Sequence, residues 1–220
     1  MNATISADIV SSTSLSIEET VGLKQRIESL FSILEDRYAG FWGRQIKGDY
    51  IECVIPNPSD AFRIALILKT CLKSFEIKSS DDKKKLFQTY GVRIAIGIGN
   101  MRLIDRNQDI MDGEAIYLSG RKMESIGSVT KGTLFLVTNI EDTFYPVQTV
   151  CILTDALVNN ATRRQSEVLY YKLLRKQESE IADLLGVKQA GVNQHSTLAR
   201  WYAIDSALAF FEQVKFNDYE

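Results

Sequence analysis

QESEIADLLGVKQAGVNQHSTLARWY, residues 177–202, has the spacing of two short helices joined by a tight turn, not that of one continuous helix. Its apolar and small positions are Ile181, Ala182, Leu184, Leu185, Val187, Val192 and Leu198. Gly186 stops the first helix, because glycine adopts the left-handed backbone of a helix end without steric cost. Ala182 lets the second helix approach closely, and Val187 and Val192 are expected to fill the wedge between the two. An alanine, a glycine four residues on and a valine six residues further is the spacing of a helix-turn-helix. In that motif the second helix lies in the major groove with its early polar residues on base edges. The expected reading positions are Lys188, Gln189, Gly191, Asn193, Gln194 and His195, a donor-rich set whose amides can pair bidentately with adenine. Arg163, Arg164, Lys172, Arg175, Lys176 and Arg200 supply cations for phosphates. The plainer alternative is a helical hairpin that closes a domain; the amides and the basic neighbours favour double-stranded DNA.

The rest of the chain must be read around that segment. At 220 residues it holds one large domain, or a medium one with a small appendage. With 45% hydrophobic and 25% charged residues it has the composition of an ordinary globular protein with a real core. A net charge of −2 is not the overall signature of a nucleic-acid binder, so any basic surface is local to the C-terminal segment. Cys53, Cys71 and Cys151 lie in apolar surroundings without metal-ligand spacing, which suits buried free thiols in a reducing cytoplasm. The chain enters a strand-like run at once, so no signal peptide is expected. No apolar run reaches the ~18 residues of a membrane span, so no membrane partner is expected. His195 is the only histidine, which leaves no Ser-His-Asp or zinc constellation.

Ala3–Val10 reads as a strand, and residues 17–38 as a helix carrying Val21, Leu23, Ile27, Leu30, Phe31 and Leu34 at helical spacing. Ser16 and Glu19 form a capping box for it. Phe41–Ile46 and Tyr50–Ile55 read as a hairpin around Lys47-Gly48-Asp49. Ser59 is expected to cap a helix to Phe75, and Lys73–Lys85 to be a solvated excursion. Tyr90–Gly99 reads as a strand, with Met101–Ile104 extending or returning it and residues 105–109 as a loop. A helix is expected from Asp112 or Gly113 through Ile126, then a strand at Thr133–Thr138. IGIGN, residues 96–100, lacks the third glycine and the following helix of a dinucleotide loop. Phe31, Phe62, Phe135, Phe144, Phe210 and Phe211 are expected in the core. The order β-α-β-β-α-β-α-β implies an α+β domain close to the ferredoxin-like plan over residues 1–140. An apolar connector helix follows at 141–160, and a helix-turn-helix domain at 161–220.

Asp8, at the end of the first strand, and Asp49, at the hairpin tip, are expected to meet on one edge of the sheet and to hold a hard cation such as Mg²⁺ or Mn²⁺. The run SADIVSSTSL resembles the opening of class III nucleotide cyclases, QIKGDYIECV their "GD" hairpin, VRIAIGIG their arginine-glycine strand and DGEAIYLSGRKM their catalytic helix. That resemblance implies metal binding by Asp8, Asp49 and the Ile9 carbonyl, and phosphate stabilisation by Arg121. It also implies a site shared between two protomers. Departures fall on base and ribose recognition: Gln45, Ile110 and Tyr117 stand where the cyclases keep lysine, aspartate and asparagine.

A second resemblance covers nearly the whole chain. SADIV, KGD, VRIAIGIG, DGEAIY, RRQSEVLYYKLL and EIADLLGVKQAGVNQH followed by ARW resemble, in order, the motifs of the SatD family. The tail also resembles the fourth region of sigma factors. The expectation is a cytoplasmic, dimeric DNA-binding regulator with a degenerate cyclase-like sensory or dimerisation domain and a possible nucleotide ligand. The alternatives are a metal-dependent nucleotide-processing enzyme and a protein-interaction module.

Overall fold

β1 (Asn2–Ile9) lies at the centre of the sheet. Its side chains alternate in direction, as a strand requires. Ala3, Ile5, Ala7 and Ile9 enter the main core, while Thr4, Ser6 and Asp8 point to the opposite face. The computed structural model describes residues 1–78 and 84–216. β1 pairs antiparallel with β3 (Tyr50–Ile55) on one side and β4 (Val92–Gly99) on the other. With β2 (Trp42–Ile46) and β7 (Leu134–Thr138) the order is β2-β3-β1-β4-β7, and only the β4–β7 pair is parallel. A separate two-stranded sheet joins β5 (Met101–Asp105) to β6 (Ile110–Gly113). The architecture is therefore α+β around a mixed five-stranded sheet.

α1 (Ile17–Arg37) and α2 (Ala61–Lys73) bury Leu23, Ile27, Leu30, Phe62, Ile64 and Leu66 against the Ala3–Ile9 face. The Ser16–Glu19 capping box starts α1 as expected. Lys47 (φ 51°) and Gly48 (φ 85°) both have positive φ, the requirement of the tight hairpin turn that matches strand twist. α4 (Glu114–Ser125) covers the other face, where the Ser119 hydroxyl sits 3.0 Å from Thr4 Oγ1 and 2.8 Å from Ser6 Oγ. The approach is so close that a Cβ on Gly97 would strike the Ala115 carbonyl and lie 2.7 Å from Ser119 N. Glycine is needed there for contact rather than for backbone freedom.

Several expectations change. Residues 110–113 are strand β6, and α4 starts only at Glu114, because Asp112 pairs with Arg102 across the β5–β6 hairpin. Ile126 is the helix end, not a helical residue. Asn57, not Ser59, caps the short turn before α2. In its described part the 73–85 stretch is solvated only in places, with Glu76, Lys78 and Lys85 exposed. Lys73, Ser74 and Lys84 are buried, and α3 (Lys85–Tyr90) inserts Phe87 into the core; residues 79–83 lie outside the described residues. Phe210 is exposed.

α5 (Glu141–Asn160) packs Val147, Cys151 and Val158 into the main core. It is pinned by a buried polar cluster. Lys69 Nζ lies 3.2 Å from Asp155 and donates to Thr133 Oγ1 (2.6 Å) and to the Tyr90 and Val92 carbonyls. Asp155 in turn accepts from the Thr133 amide at 2.7 Å. A charge of each sign can be buried this way because every donor and acceptor finds a partner.

α6 (Arg163–Leu173) and α9 (Trp201–Glu212) join the same core: Phe62 of α2 stacks on Phe211 of α9 with ring centres 5.1 Å apart. α7 (Glu178–Leu185) and α8 (Gln189–Leu198) rest on a smaller cluster of Val168, Ile181, Ala182 and Val192. Among the described residues no helix is long and apolar enough to cross a membrane.

Candidate functional site

Local sequence builds the α7–α8 hairpin. Gln177 and Glu180 make a capping box at the start of α7, and Gly186 (φ 62°) ends it. The Val187 amide donates to the Ala182 carbonyl at 3.0 Å and the Gly186 amide to Asp183 at 3.3 Å, closing the helix end. Val192 is fully buried, and Ser196 one turn later is buried with its hydroxyl donating to the Asn193 carbonyl. Fixing that side of α8 inward turns Lys188, Gln189, Asn193 and Gln194 to solvent. None of these four side chains has a hydrogen bond or ion pair among the described residues.

Two expected reading positions differ. Gly191 is half-buried, with open space where a side chain would stand. His195 is half-buried, and its Nδ1 is enclosed without a hydrogen-bond partner. It faces inward more than the four polar residues do. Val187 does not fill the wedge; it and Leu184 and Leu198 are roughly half-exposed, and Val168 of α6 takes the space beside Val192. Of the basic residues, Arg200 is exposed (φ 60°). Arg163 pairs with Glu76 (3.5 Å) and Arg164 with Glu167 (2.7 Å), so both are partly neutralised.

At the other candidate site, register places Asp8 opposite Tyr50 on one strand and Arg93 on the other. The Ile9 amide donates to the Asp49 carbonyl at 3.0 Å, which ties the hairpin turn to the end of β1. Asp8 and Asp49 therefore line one cleft of about 520 Å³, together with Lys47, Tyr50, Arg93 and Glu124. Arg93 reaches Asp8 through Nε (3.1 Å) and Nη2, and Ser12 donates to Asp49 at 3.0 Å. Burial, with Glu52, Glu124 and Asp8 nearby, pushes the Tyr50 hydroxyl up, so it stays a neutral donor.

The carboxylates are hard donors of the type Mg²⁺ and Mn²⁺ take, and Arg93 competes with any cation for Asp8. Among the described residues no group of three or more His, Cys, Asp or Glu is arranged to hold a metal ion.

Arg121 is not in this cleft. It lines another, of about 550 Å³, with Asn100, Arg102, Asp112, Tyr117 and Asn139. There the Tyr117 hydroxyl and Arg102 both bond Asp112 and hold its carboxyl below the usual range. Within one chain, Asp8 and Asp49 come together and Arg121 does not join them. Arg93, Ser12 and Glu124 were missed from the sequence. Arg93 was visible in VRIAIGIG, but its partner depends on strand register. No protein-family model matches the chain, and a search of curated proteins returns no match.

Proposed function

We propose that the protein is a DNA-binding transcriptional regulator. In this reading α7 and α8 form a helix-turn-helix, α8 enters the major groove, and the α+β part is a cyclase-like dimerisation or sensory body. One observation carries it: α8 presents Lys188, Gln189, Asn193 and Gln194 on a single solvent face with their donors uncommitted. Side chains left in that state in a folded protein are suited to pair with base edges. The order β2-β3-β1-β4 with α1 and α2 as crossovers supports the ferredoxin-like plan, and with the C-terminal hairpin it supports the likeness to SatD proteins. Gln45 donates to the Gly48 carbonyl of its own hairpin, and Tyr117 is committed to Asp112. Both support a degenerate nucleotide site. Buried Cys53, Cys71 and Cys151 accord with a reducing cytoplasm. A homodimer reading two half-sites completes the proposal.

Selection of bound duplexes from a random pool, with a salt titration, tests it. The expected result is an enriched site, affinity falling steeply with salt, and a loss of about 1–3 kcal/mol for each amide in Gln189→Ala and Asn193→Ala. Both residues are exposed, so circular dichroism should show the fold intact. DNA affinity that ignores both substitutions overturns the reading. The half-exposed Leu184, Val187 and Leu198 would then point to a protein partner.

A second reading, metal-dependent nucleotide processing, rests on Asp8 and Asp49 sharing a cleft. It requires turnover of nucleoside triphosphates that depends on Mg²⁺ or Mn²⁺ and disappears in Asp8→Ala. Wild-type protein without such turnover rejects it.

A further inference from the structure

A groove of about 410 Å³ runs between α9, the α6–α7 turn and the side of α2. Among the described residues its walls carry Arg63, Lys172, Arg175 and Lys176 together with two carboxylates, Asp205 and Glu212. Trp201, Asp205, Ala209 and Glu212 follow one another along a single face of α9. The eleven rises from Trp201 to Glu212 give the groove a length of about 16 Å at ~1.5 Å per residue. Its volume is within the ~300–1,000 Å³ range of small-ligand sites.

The cations converge. Arg63, whose side chain is only 8% exposed at the floor, donates through Nε to Glu212 Oε1 at 2.7 Å. Arg175 approaches the same oxygen at 3.6 Å from above, and its side chain is 70% exposed. Glu212 thus marks a point where two guanidinium groups already accommodate an anion. Lys172 pairs with Glu178 at 2.7 Å, outside the groove, and lies 5.6 Å from the Trp201 ring centre. Lys176 is only 4.0 Å from Glu180, a weak contact. Arg175 also holds a positive φ (57°) at the end of α6, where glycine would be strain-free. Its side chain is kept there at a backbone cost.

We propose that this groove binds a small ligand bearing two or more phosphoryl groups, with Arg175 and Lys176 as principal phosphate contacts and Arg63 as the buried cation at the floor. An elongated cleft in which Arg175 and Lys176 keep only the long contacts of 3.6 and 4.0 Å to Glu212 and Glu180 suits a phosphoryl chain better than a single carboxylate. A duplex backbone would reach Arg175 and Lys176 but not the recessed Arg63. The proposal does not depend on whether α8 binds DNA.

The chain has two tryptophans, so Trp42→Phe leaves Trp201, at the groove wall, as the sole tryptophan, excited selectively at the red edge of its absorption. Its emission is titrated with inorganic pyrophosphate in one arm and ATP in another, and calorimetry on the wild-type protein serves as control should Trp42→Phe fold poorly. The expected result is saturable binding in both arms if the phosphoryl chain alone is recognised. Binding in the ATP arm only assigns the chain to a nucleotide. In either case affinity falls at least tenfold in Arg175→Gln/Lys176→Gln. Absence of saturation in both arms and in calorimetry overturns the proposal, as does undiminished binding in the double variant. A response to duplex DNA but to neither small ligand also overturns it, and makes these cations phosphodiester contacts.

Discussion

Arg175 shows how a single residue can be held against its own preference. The Lys176 amide donates to the Tyr171 carbonyl (3.1 Å) and the Arg175 amide to Lys172 (2.8 Å), so the chain closes α6 with the bond pattern that usually has glycine at its centre. A residue with a Cβ in the left-handed region costs roughly 1–2 kcal/mol. Arg175→Gly is therefore expected to raise stability to chemical denaturation by about 1 kcal/mol, the strain relieved minus the extra freedom glycine gives the unfolded chain. Among the described residues the one ion pair lost is the 3.6 Å approach to Glu212, and Arg63 keeps that carboxylate occupied. A destabilised variant would mean that the arginine contributes packing or charge beyond its visible contacts.

At the scale of elements, the start of α1 is where electrostatics and local structure meet. Burial alone would raise the Glu19 carboxyl. The hydrogen bonds from Lys84 Nζ (2.6 Å) and from the Ser16 and Lys78 amides (2.8 and 3.1 Å) outweigh it and lower the pKa from 4.5 to about 2. The capping residue of α1 thereby also holds the chain on both sides of residues 79–83.

A carboxyl with a depressed folded-state pKa stabilises fully above its unfolded value and loses that contribution as pH falls through the folded value. Glu19 should therefore support the fold above about pH 4.5 and cease to do so by about pH 2. Glu19→Gln is expected to be less stable than wild type at neutral pH, with the two converging between those limits. Melting temperatures that stay equally far apart across this range would refute the assignment.

At the scale of the whole molecule, the sheet and the helices α6 and α9 share one core, closed by Phe62 against Phe211, whereas α7 and α8 rest on four buried residues. Local opening costs least where fewest apolar contacts are lost. Native-state hydrogen exchange should release the amides of α7 and α8 at a lower free energy than those of α6, α9 and β1. Equal protection throughout would show that the small cluster is not a separate cooperative unit.

What the sequence determined by itself is what short-range physics controls. The helix break at Gly186, the tight turn at Lys47-Gly48 and the Ser16–Glu19 capping box involve residues within a few positions of one another. Their outcome follows from backbone sterics and local hydrogen bonds. The strand at the start of the chain was legible for the same reason, as was the neighbourhood of Asp8 and Asp49 once the strand order was read.

Tertiary structure decided the rest. Arg93 neutralises Asp8 across 85 positions because β4 pairs with β1 in one register and no other. Lys69 and Lys73 are buried because carbonyls and a carboxylate brought by α3, β4 and α5 close around them. Arg121 faces a different cleft from the aspartates. Val187 is left half-exposed because Val168, from the preceding helix, takes the space beside Val192. Such contacts join residues far apart in the chain, and their selection rests on register and on packing volume, which no local pattern encodes.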